Sequence, residues 1–374
     1  MLTERINPDQ SSFFEKVKSL DYTLVIVILL IGIISAFAMY STDGGKILYH
    51  TKSHILRFGL FFSLFLILSF VKPIIWHGLS YFFYFLILVM LIWALYFGIT
   101  ISGSQRWISL YFLNIQPSEL MKIAIILAFS KFYHRIQSTE VNNIKNIIQP
   151  IVLLILPIFL VVAQPDLGTS ILIAASGITV MWLSGLNLKY FIYSFLLLLV
   201  TTPFAISLLK PYQKLRVLTF FDPDRDPLGA GYQIIQSKIA VGSGGILGKG
   251  FLKGTQSYLE FLPEKHTDFI FTLFSEEFGF VGSSFLLFLY SILIYRIILV
   301  GIKSRNYFSK LYCFGFASAI FIYISVNMSM VLGLLPIVGS PLPIMSYGGS
   351  SMLATMLGLS IVMSSKIYEK ELIA

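Results

Sequence analysis

The sequence predicts an all-α integral membrane protein with ten transmembrane helices and one large extracytoplasmic loop between spans 7 and 8. Three observations carry this. Hydrophobic residues make up 56% of the 374 residues and charged residues 12%, about half the roughly 25% usual in soluble domains. The mean hydropathy is +0.83, which is more apolar surface than a soluble particle of this size hides. The apolar residues also fall in continuous runs, not in the alternation of a membrane β-barrel. Disorder, collagen and coiled coil are excluded, because each needs polar or periodic sequence.

A spanning helix needs roughly 20 mostly apolar residues. Ten runs qualify, at about 22–40, 54–71, 76–97, 117–134, 147–163, 167–185, 188–208, 267–301, 309–335 and 347–366. Lys16 and Lys18 precede the first, and Ala36-Phe37-Ala38 resembles a signal-peptidase site. The run exceeds the roughly 7–15 residues of a signal-peptide core, so it is read as a retained span. The eighth and ninth runs are long enough to tilt or to extend beyond the bilayer.

Charge sets the orientation. The chain carries 27 Lys+Arg against 18 Asp+Glu, a net charge of +9. In a soluble chain this balance would suggest nucleic acid. In a membrane chain basic residues collect in cytoplasmic loops, so no nucleic-acid partner is expected. With both termini inside, fourteen basic residues fall in cytoplasmic segments, and the short outer loops hold only Lys46, Lys52 and Arg106. Arg57 and Lys122 lie at or within spans. The other eight (Lys210, Lys214, Arg216, Arg225, Lys238, Lys249, Lys253 and Lys265) sit in the long outer loop, and long loops largely escape the charge rule.

That loop, 209–266, is the one stretch of soluble-like sequence in what is otherwise a single membrane domain over 1–374. Loops of this length are uncommon and usually functional. Turn signals stand at Asp222-Pro223 and Asp226-Pro227-Leu228-Gly229. Tyr232 to Val241 has helical spacing of apolar residues and reads as a short amphipathic helix at the outer interface. No internal repeat is evident, which weakens an inverted-repeat transporter. The single cysteine, Cys313, excludes an intrachain disulfide and a cysteine metal cluster. Its apolar setting makes it a lipid-facing or core residue.

Ionisable groups inside a membrane are costly, so each is a candidate for function. Glu119 and Lys122 have i,i+3 spacing on one helix face, where they can neutralise one another. Pro117 suits the first turn of that helix. Asp166 stands where a span begins, and the helix dipole there favours its charged form. Asp268 opens the eighth span at the water boundary, after His266, and Glu276 and Glu277 follow within it. For all of these, structural ion pairing is the alternative to chemistry. The run Gly242-Ser-Gly-Gly-Ile-Leu-Gly-Lys-Gly250 lacks the spacing and preceding strand of a P-loop. It reads as a flexible turn or as a backbone nest for a pyrophosphate. His50 and His54 have the i,i+4 spacing of a metal pair but no third ligand nearby in sequence. Pro336, Pro341, Pro343 and Ser346-Tyr-Gly-Gly-Ser-Ser351 break the chain between the last two spans. Non-helical backbone at that depth must be buried in protein or line a cavity, so this segment reads as a pocket wall or a rigid loop. Together these features suit an enzyme acting on a lipid-linked substrate, or a transporter.

Six segments then carry a resemblance. They are Gly103-Ser-Gln-Arg-Trp-Ile108, Gln116-Pro-Ser-Glu-Leu-Met-Lys122, Gln164-Pro-Asp-Leu-Gly-Thr169, Asp222 to Gly254 with the adjoining Gly254-Thr-Gln-Ser257, Phe261 to Phe271, and Pro343 to Ser350. In order, and over most of the chain, they resemble the SEDS family. The segments from Asp226 to Ala240 and at Gly254–Ser257 are nearer its elongation branch than its division branch. Lys265 stands where an arginine or a neutral residue is also common. The resemblance implies a peptidoglycan glycosyltransferase that polymerises lipid II at the outer face of the bacterial cytoplasmic membrane. It places the family's essential acid on Asp268 and its Arg-Trp pair on Arg106 and Trp107, and its embedded pair on Glu119 and Lys122. Arg106, Trp107, Lys122 and Lys238 are then expected to meet substrate or pyrophosphate, with Glu119, Asp166, Glu277 and His266 in support. It also implies a divalent cation, Mg2+ or Mn2+, for which Asp268 is one candidate ligand. The implied partner is a class B penicillin-binding protein within an elongation complex. A lipid II flippase and a non-catalytic activator of a transpeptidase are the competing classes.

Overall fold

The computed structural model describes residues 12–101, 104–110, 113–208, 211–226, 229–255 and 264–373. Arg5, Lys210, Gly103, the Pro227-Leu228 turn and all of 256–263 lie outside the described residues. After a short helix α1 (Phe13–Lys18) come α2 (Tyr22–Thr42), α3 (Tyr49–Ser69) and α4 (Pro73–Phe97). Three short strands follow: β1 (Ile99–Ile101), β2 (Ser104–Leu110) and β3 (Leu113–Ile115). Then come α5 (Pro117–His134), α6 (Ile144–Ala163), α7 (Leu167–Leu183), α8 (Leu188–Leu208), α9 (Pro211–Phe221) and α10 (Ala230–Ser243). The chain ends with α11 (Ile270–Lys303), α12 (Tyr307–Val331) and α13 (Gly349–Ile367).

All ten predicted spans are helical. Among the described residues seven helices are long and apolar enough to cross a membrane: α2, α3, α4, α6, α11, α12 and α13. The periodicity of α4 shows how they sort their faces. His77, Ser80, Tyr84, Ile87, Leu91 and Ala94 are buried, while Leu79, Phe82, Val89, Trp93 and Tyr96 are exposed. The outward stripe suits hydrocarbon, which solvates apolar side chains as well as a protein core does.

At the centre stands α5. Every residue from Pro117 to Tyr133 is buried, and α5 packs on α4, α6, α7, α12 and α13. Proline at its first position removes a backbone N–H that has no helical partner anyway. Helix α2 is capped by Asp21, whose carboxylate accepts from Leu24 N at 3.0 Å. The same carboxylate takes both Nε and Nη2 of Arg296 on α11, the latter at 2.6 Å. One side chain thus starts one span and ties it to another. Cys313 on α12 is fully buried.

Two features depart from the sequence reading. The first is the antiparallel sheet β1-β2-β3, set in an otherwise all-α chain, with Ile99 opposite Trp107 and Ile108 opposite Ile115. It lies where a short outer loop is expected, between α4 and α5. The second is a break in α11 at Gly279, with φ 63° and ψ −158°. A break frees backbone groups that must be satisfied within the protein. Here the glycine-rich run supplies the partners. Lys249 N and Gly250 N donate to the carbonyls of Glu276 and Glu277, each at 3.0 Å. Phe280 N and Val281 N donate to Gly245 O at 2.9 Å and Ile246 O at 3.1 Å. The run is therefore docked against the break and is not a loose turn, and its Lys249 and Gly250 amides are engaged there and closed to a pyrophosphate. Its glycines permit backbone to lie on backbone. A Cβ on Gly248 would meet Glu277 O at 2.1 Å, and one on Gly279 would meet Gly248 N at 2.3 Å.

The long loop between α8 and α11 holds α9, a 3-10 turn at Pro223–Arg225 and α10. Helix α10 covers the predicted amphipathic stretch. Ile234, Ser237 and Ala240 form its buried face, and Ser237 Oγ donates to Val331 O at 2.7 Å. Lys238 lies on the exposed side. Its inner face is thus committed to α11 and α12.

Gly279→Ala combines a positive φ with a backbone clash, and its expected cost is about 1–3 kcal/mol from strain alone. Thermal unfolding in detergent should show a clear fall in Tm. Gly242→Ala, with nothing within 4 Å of the added carbon, should leave Tm unchanged or slightly raised; equal melting of the two variants would contradict the docking described here.

Candidate active site

Asp268 is the last residue but one before α11, on the turn formed by residues 264–269. Three successive carbonyls of that turn are held, two by donors from the segment that leads to α13 and one by a donor on α12. Tyr347 N donates to His266 O at 2.8 Å. Ser346 Oγ donates to Thr267 O at 2.7 Å. Asn327 Nδ2, on α12, donates to Asp268 O at 2.9 Å and to Ser340 O at 2.6 Å. The backbone under Asp268 is thus fixed at consecutive residues. Its carboxylate faces the strap of residues 336–347, and a carbon added at Gly339 would sit 3.6 Å from Asp268 Oδ2.

The same strap reaches the other candidates. On its far side Val338 abuts the start of α7, leaving no space for a side chain at Gly168, whose Cβ would meet Val338 O at 2.2 Å. Asp166 caps α7 there and is 3% exposed. Its carboxylate receives Arg106 Nη1 at 2.8 Å, Gln116 Nε2 at 2.9 Å, and Thr169 Oγ1 at 2.8 Å. A buried carboxylate needs such a set of donors to stay charged. Strand β2 delivers Arg106 to this point. Trp107 follows it, and its indole Nε1 is buried without a partner among the described residues.

Glu119 and Lys122 form the predicted pair on α5, 2.7 Å apart. Both are buried, at 5% and 4% exposure. The Lys122 ammonium also lies 3.8 Å from the ring centroid of Tyr323 on α12, where the ring face stabilises it. The two side chains line a cavity of about 30 Å³ with Pro343 of the strap and Ser351 of α13. That is room for about one water molecule. As placed here, Lys122 is a buried partner of Glu119. Lys238 stays exposed on α10.

Glu276 accepts from Lys249 Nζ at 2.6 Å and from Thr255 N at 2.9 Å. Glu277 accepts from Ser41 Oγ and lines a larger cavity of about 400 Å³, together with Asp43, His50, Lys265 and His266. His50 and His54 do not act as a pair. His54 bonds Ser35 Oγ in the interior, while His50 turns to Asp43 and stacks on His266, with ring centroids 4.1 Å apart. Burial pushes His266 down to about 4, helped by the neighbouring His50 and Lys265, so its ring is neutral at neutral pH.

A single carboxylate completed by substrate phosphates and water is a usual Mg2+ set. Asp268 fits that pattern as an oxygen donor. Among the described residues it belongs to no group of three acidic, histidine or cysteine ligands.

Sequence reasoning missed Asn327, Tyr323 and Asp43. Asn327 had a readable signal, an amide inside an apolar run. Such a donor is costly to leave unpaired in a membrane, and here its Nδ2 finds two carbonyls.

A helical membrane core with a fixed carboxylate at one end and two buried ion pairs behind it defines a polytopic membrane protein built around an acidic centre. Comparison makes this specific. A family model for the FtsW, RodA and SpoVE proteins, described as cell cycle protein, matches residues 18–371, and the chain belongs to that family, the SEDS proteins of the sequence resemblance. It is 41% identical over 368 residues to the peptidoglycan glycosyltransferase MrdB of Escherichia coli K12, covering 98% of each chain. Among solved structures it is similar to a chain of a peptidoglycan synthase complex that coordinates polymerization and crosslinking. That match has a TM-score of 0.81 and 31% identity, over 94% of this chain and 99% of that one. It is also similar to the rod shape determining protein RodA of Thermus thermophilus, with a TM-score of 0.71 and 25% identity, over 94% and 98%.

Removing one partner of a buried pair leaves an uncompensated charge and costs about 3–5 kcal/mol. Glu119→Gln should therefore lower Tm strongly in detergent. Adding Lys122→Met should recover most of the loss, because both charges are then gone. If single and double variants melt alike, the pair does not carry the stability assigned to it.

Proposed function

We propose that this protein is a peptidoglycan glycosyltransferase of cell elongation that polymerises lipid II into β-1,4-linked glycan. The single observation that carries the reading is Asp268. It is the family's acidic position, and its turn is pinned at three consecutive carbonyls. The name and extent of the Escherichia coli relative support the activity.

In this reading Asp268 takes the proton from the 4-hydroxyl of the acceptor GlcNAc. The oxygen attacks the anomeric carbon of the donor MurNAc from the opposite face. The bond to undecaprenyl pyrophosphate breaks with inversion. A carboxylate suits this task when its position is fixed and its proton can leave toward water, and Asp268 is half-buried at the end of a span. Negative charge develops on the leaving pyrophosphate, where fixed positive groups stabilise it. Arg106, partly exposed beyond its bond to Asp166, and the exposed Lys238 are the bases read for that role. Trp107 lies beside Arg106. Lys122, through Glu119, together with Asp166, Glu277 and His266, supports the walls around them. A divalent cation, Mg2+ or Mn2+, would supply further neutralisation of the leaving oxygen, and holding it is the alternative role for Asp268.

The geometry is set in the inner membrane with both termini cytoplasmic and the Asp268 face outside. The distribution of basic residues supports that orientation. The proposed partner is a class B penicillin-binding protein of the elongation complex, which would crosslink the new strands. Similarity to a chain of a complex that couples the two activities supports it.

With purified protein and labelled lipid II, the native chain should build polymer. Asp268→Asn should reduce the rate by at least 100-fold, within the roughly 10²–10⁴ of general-base catalysis, without moving Tm. Normal polymerisation by Asp268→Asn would refute the assignment. Movement of lipid across vesicles without polymer would instead mark a flippase.

A further inference from the structure

Asp43, His50 and His266 come from three places in the chain and meet at the mouth of the larger cavity. Asp43 ends α2, His50 begins α3, and His266 lies on the turn that carries Asp268. Each offers one ligand atom, and these atoms all lie within 4.8 Å of one another. We propose that they form a binding site for a divalent transition-metal ion, Zn2+ before Mn2+, which clips the α2–α3 connection to the turn bearing Asp268.

Four observations support the site. First, the donors are of the right kind. Two imidazoles and one carboxylate are a common three-ligand set for Zn2+ and related ions, and they leave positions open for water. Mg2+ prefers oxygen donors alone. Second, the spacing is close to that required. Ligands at about 2.0–2.1 Å from Zn2+ stand about 3.3 Å apart in a tetrahedron. His50 Nδ1 and Asp43 Oδ1 are already 3.3 Å apart; the His266 ring, stacked on His50 at 16°, turns out of that stack to bring its lone pair to the same ion.

Third, Asp43 is divided between two jobs in the way ligating carboxylates usually are. Its Oδ2 accepts from Thr51 N at 2.9 Å and from Thr51 Oγ1 at 2.6 Å. That fixes the carboxylate and leaves Oδ1 toward His50. Burial raises the Asp43 pKa, but the Thr51 bonds and the two histidines outweigh it and hold the group below its ordinary 3.8. Fourth, His266 Nδ1 is buried and has no hydrogen-bond partner among the described residues. A buried ring nitrogen without a partner is costly, and an ion would supply one. All three residues are partly exposed to the cavity of about 400 Å³, so an ion has a way in.

The site is separate from the cation read at Asp268, and binding is measured without lipid substrate. It therefore stands or falls apart from the glycosyltransferase reading. The full chain, carrying an affinity tag free of histidine, is stripped with chelator in detergent. It is then titrated with Zn2+, Mn2+ and Mg2+ against a metal-sensitive dye, with Co2+ absorbance as a second readout. The expected result is one Zn2+ per chain, bound more tightly than Mn2+, with Mg2+ weakest, and a rise in Tm on Zn2+. His50→Gln and His266→Gln should each weaken Zn2+ by at least 10-fold. Thr51→Val keeps all three ligands and should still weaken it by roughly 10-fold, through loss of the bonds that orient Asp43. The metal-free Tm of each variant reports whether it is folded. An undiminished Zn2+ site in folded His50→Gln/His266→Gln, or no stoichiometric binding to the native chain, would overturn the proposal.

Discussion

The side-chain amide of Asn327 is the contact on which much of this architecture depends. It is fully buried in α12 and donates to two carbonyls, one on the turn that opens α11 and one on the strap before α13. Neither segment is helical there. Each would otherwise carry unsatisfied backbone within a membrane protein, at a cost of about 1–3 kcal/mol per buried group. Asn327 therefore bridges the turn and the strap from α12, and Ser346 and Tyr347 of the strap add two direct ties. The strap in turn reaches the start of α7 through Val338, the Glu119–Lys122 cavity through Pro343, and α2 through the carbonyls of Ile344 and Met345, which Ser35 contacts. Tyr290 closes the arrangement by donating to Pro343 O at 2.6 Å. The acidic centre is thus set by a loop held from all sides, and not by one helix.

Much of the scaffold could be read from the residues. Every predicted span is helical because a run of apolar side chains leaves the backbone in lipid no other way to satisfy itself. Glu119 and Lys122 pair as their i,i+3 spacing requires, and Asp166 caps α7 as its position suggested. The errors have a common physical origin. Spacing along a helix shows which side chains share a face, but not what that face meets. His50 and His54 share a helix, yet one meets Asp43 and His266 and the other meets Ser35. The glycine-rich run looked loose because its partner is the backbone of a helix break at Gly279, and a break has no side-chain signature of its own. The sheet between α4 and α5 alternates over too few residues to stand out.

Charge in this interior is handled by saturation. Asp166 collects an arginine, an amide and a hydroxyl, and Glu276 collects a lysine, an amide and a hydroxyl. Lys122 has both a carboxylate and an aromatic face. In a medium of low polarity each added partner is worth more than in water, and each missing one costs more. Around the turn that opens α11 the core gives way to more accessible surface. There the turn of Asp268, the exposed Lys238 and the cavity beside His266 meet solvent.

The burial of α5 also constrains how the molecule is made. This helix carries Glu119 in its first turn, Lys131 in its last and Lys122 further in; a charge opposes insertion by about 2.5–3.5 kcal/mol at the centre of a lone helix and by less toward its ends. Alone, α5 enters a bilayer less readily than its more apolar neighbours. Its acceptance depends on neighbours, and two of them, α12 with Tyr323 and α13, are synthesised last. During biogenesis the nascent chain must therefore hold α5 beside α4 in a sheltered place, within the insertion machinery or at its lateral exit, until the carboxy-terminal helices arrive to enclose it.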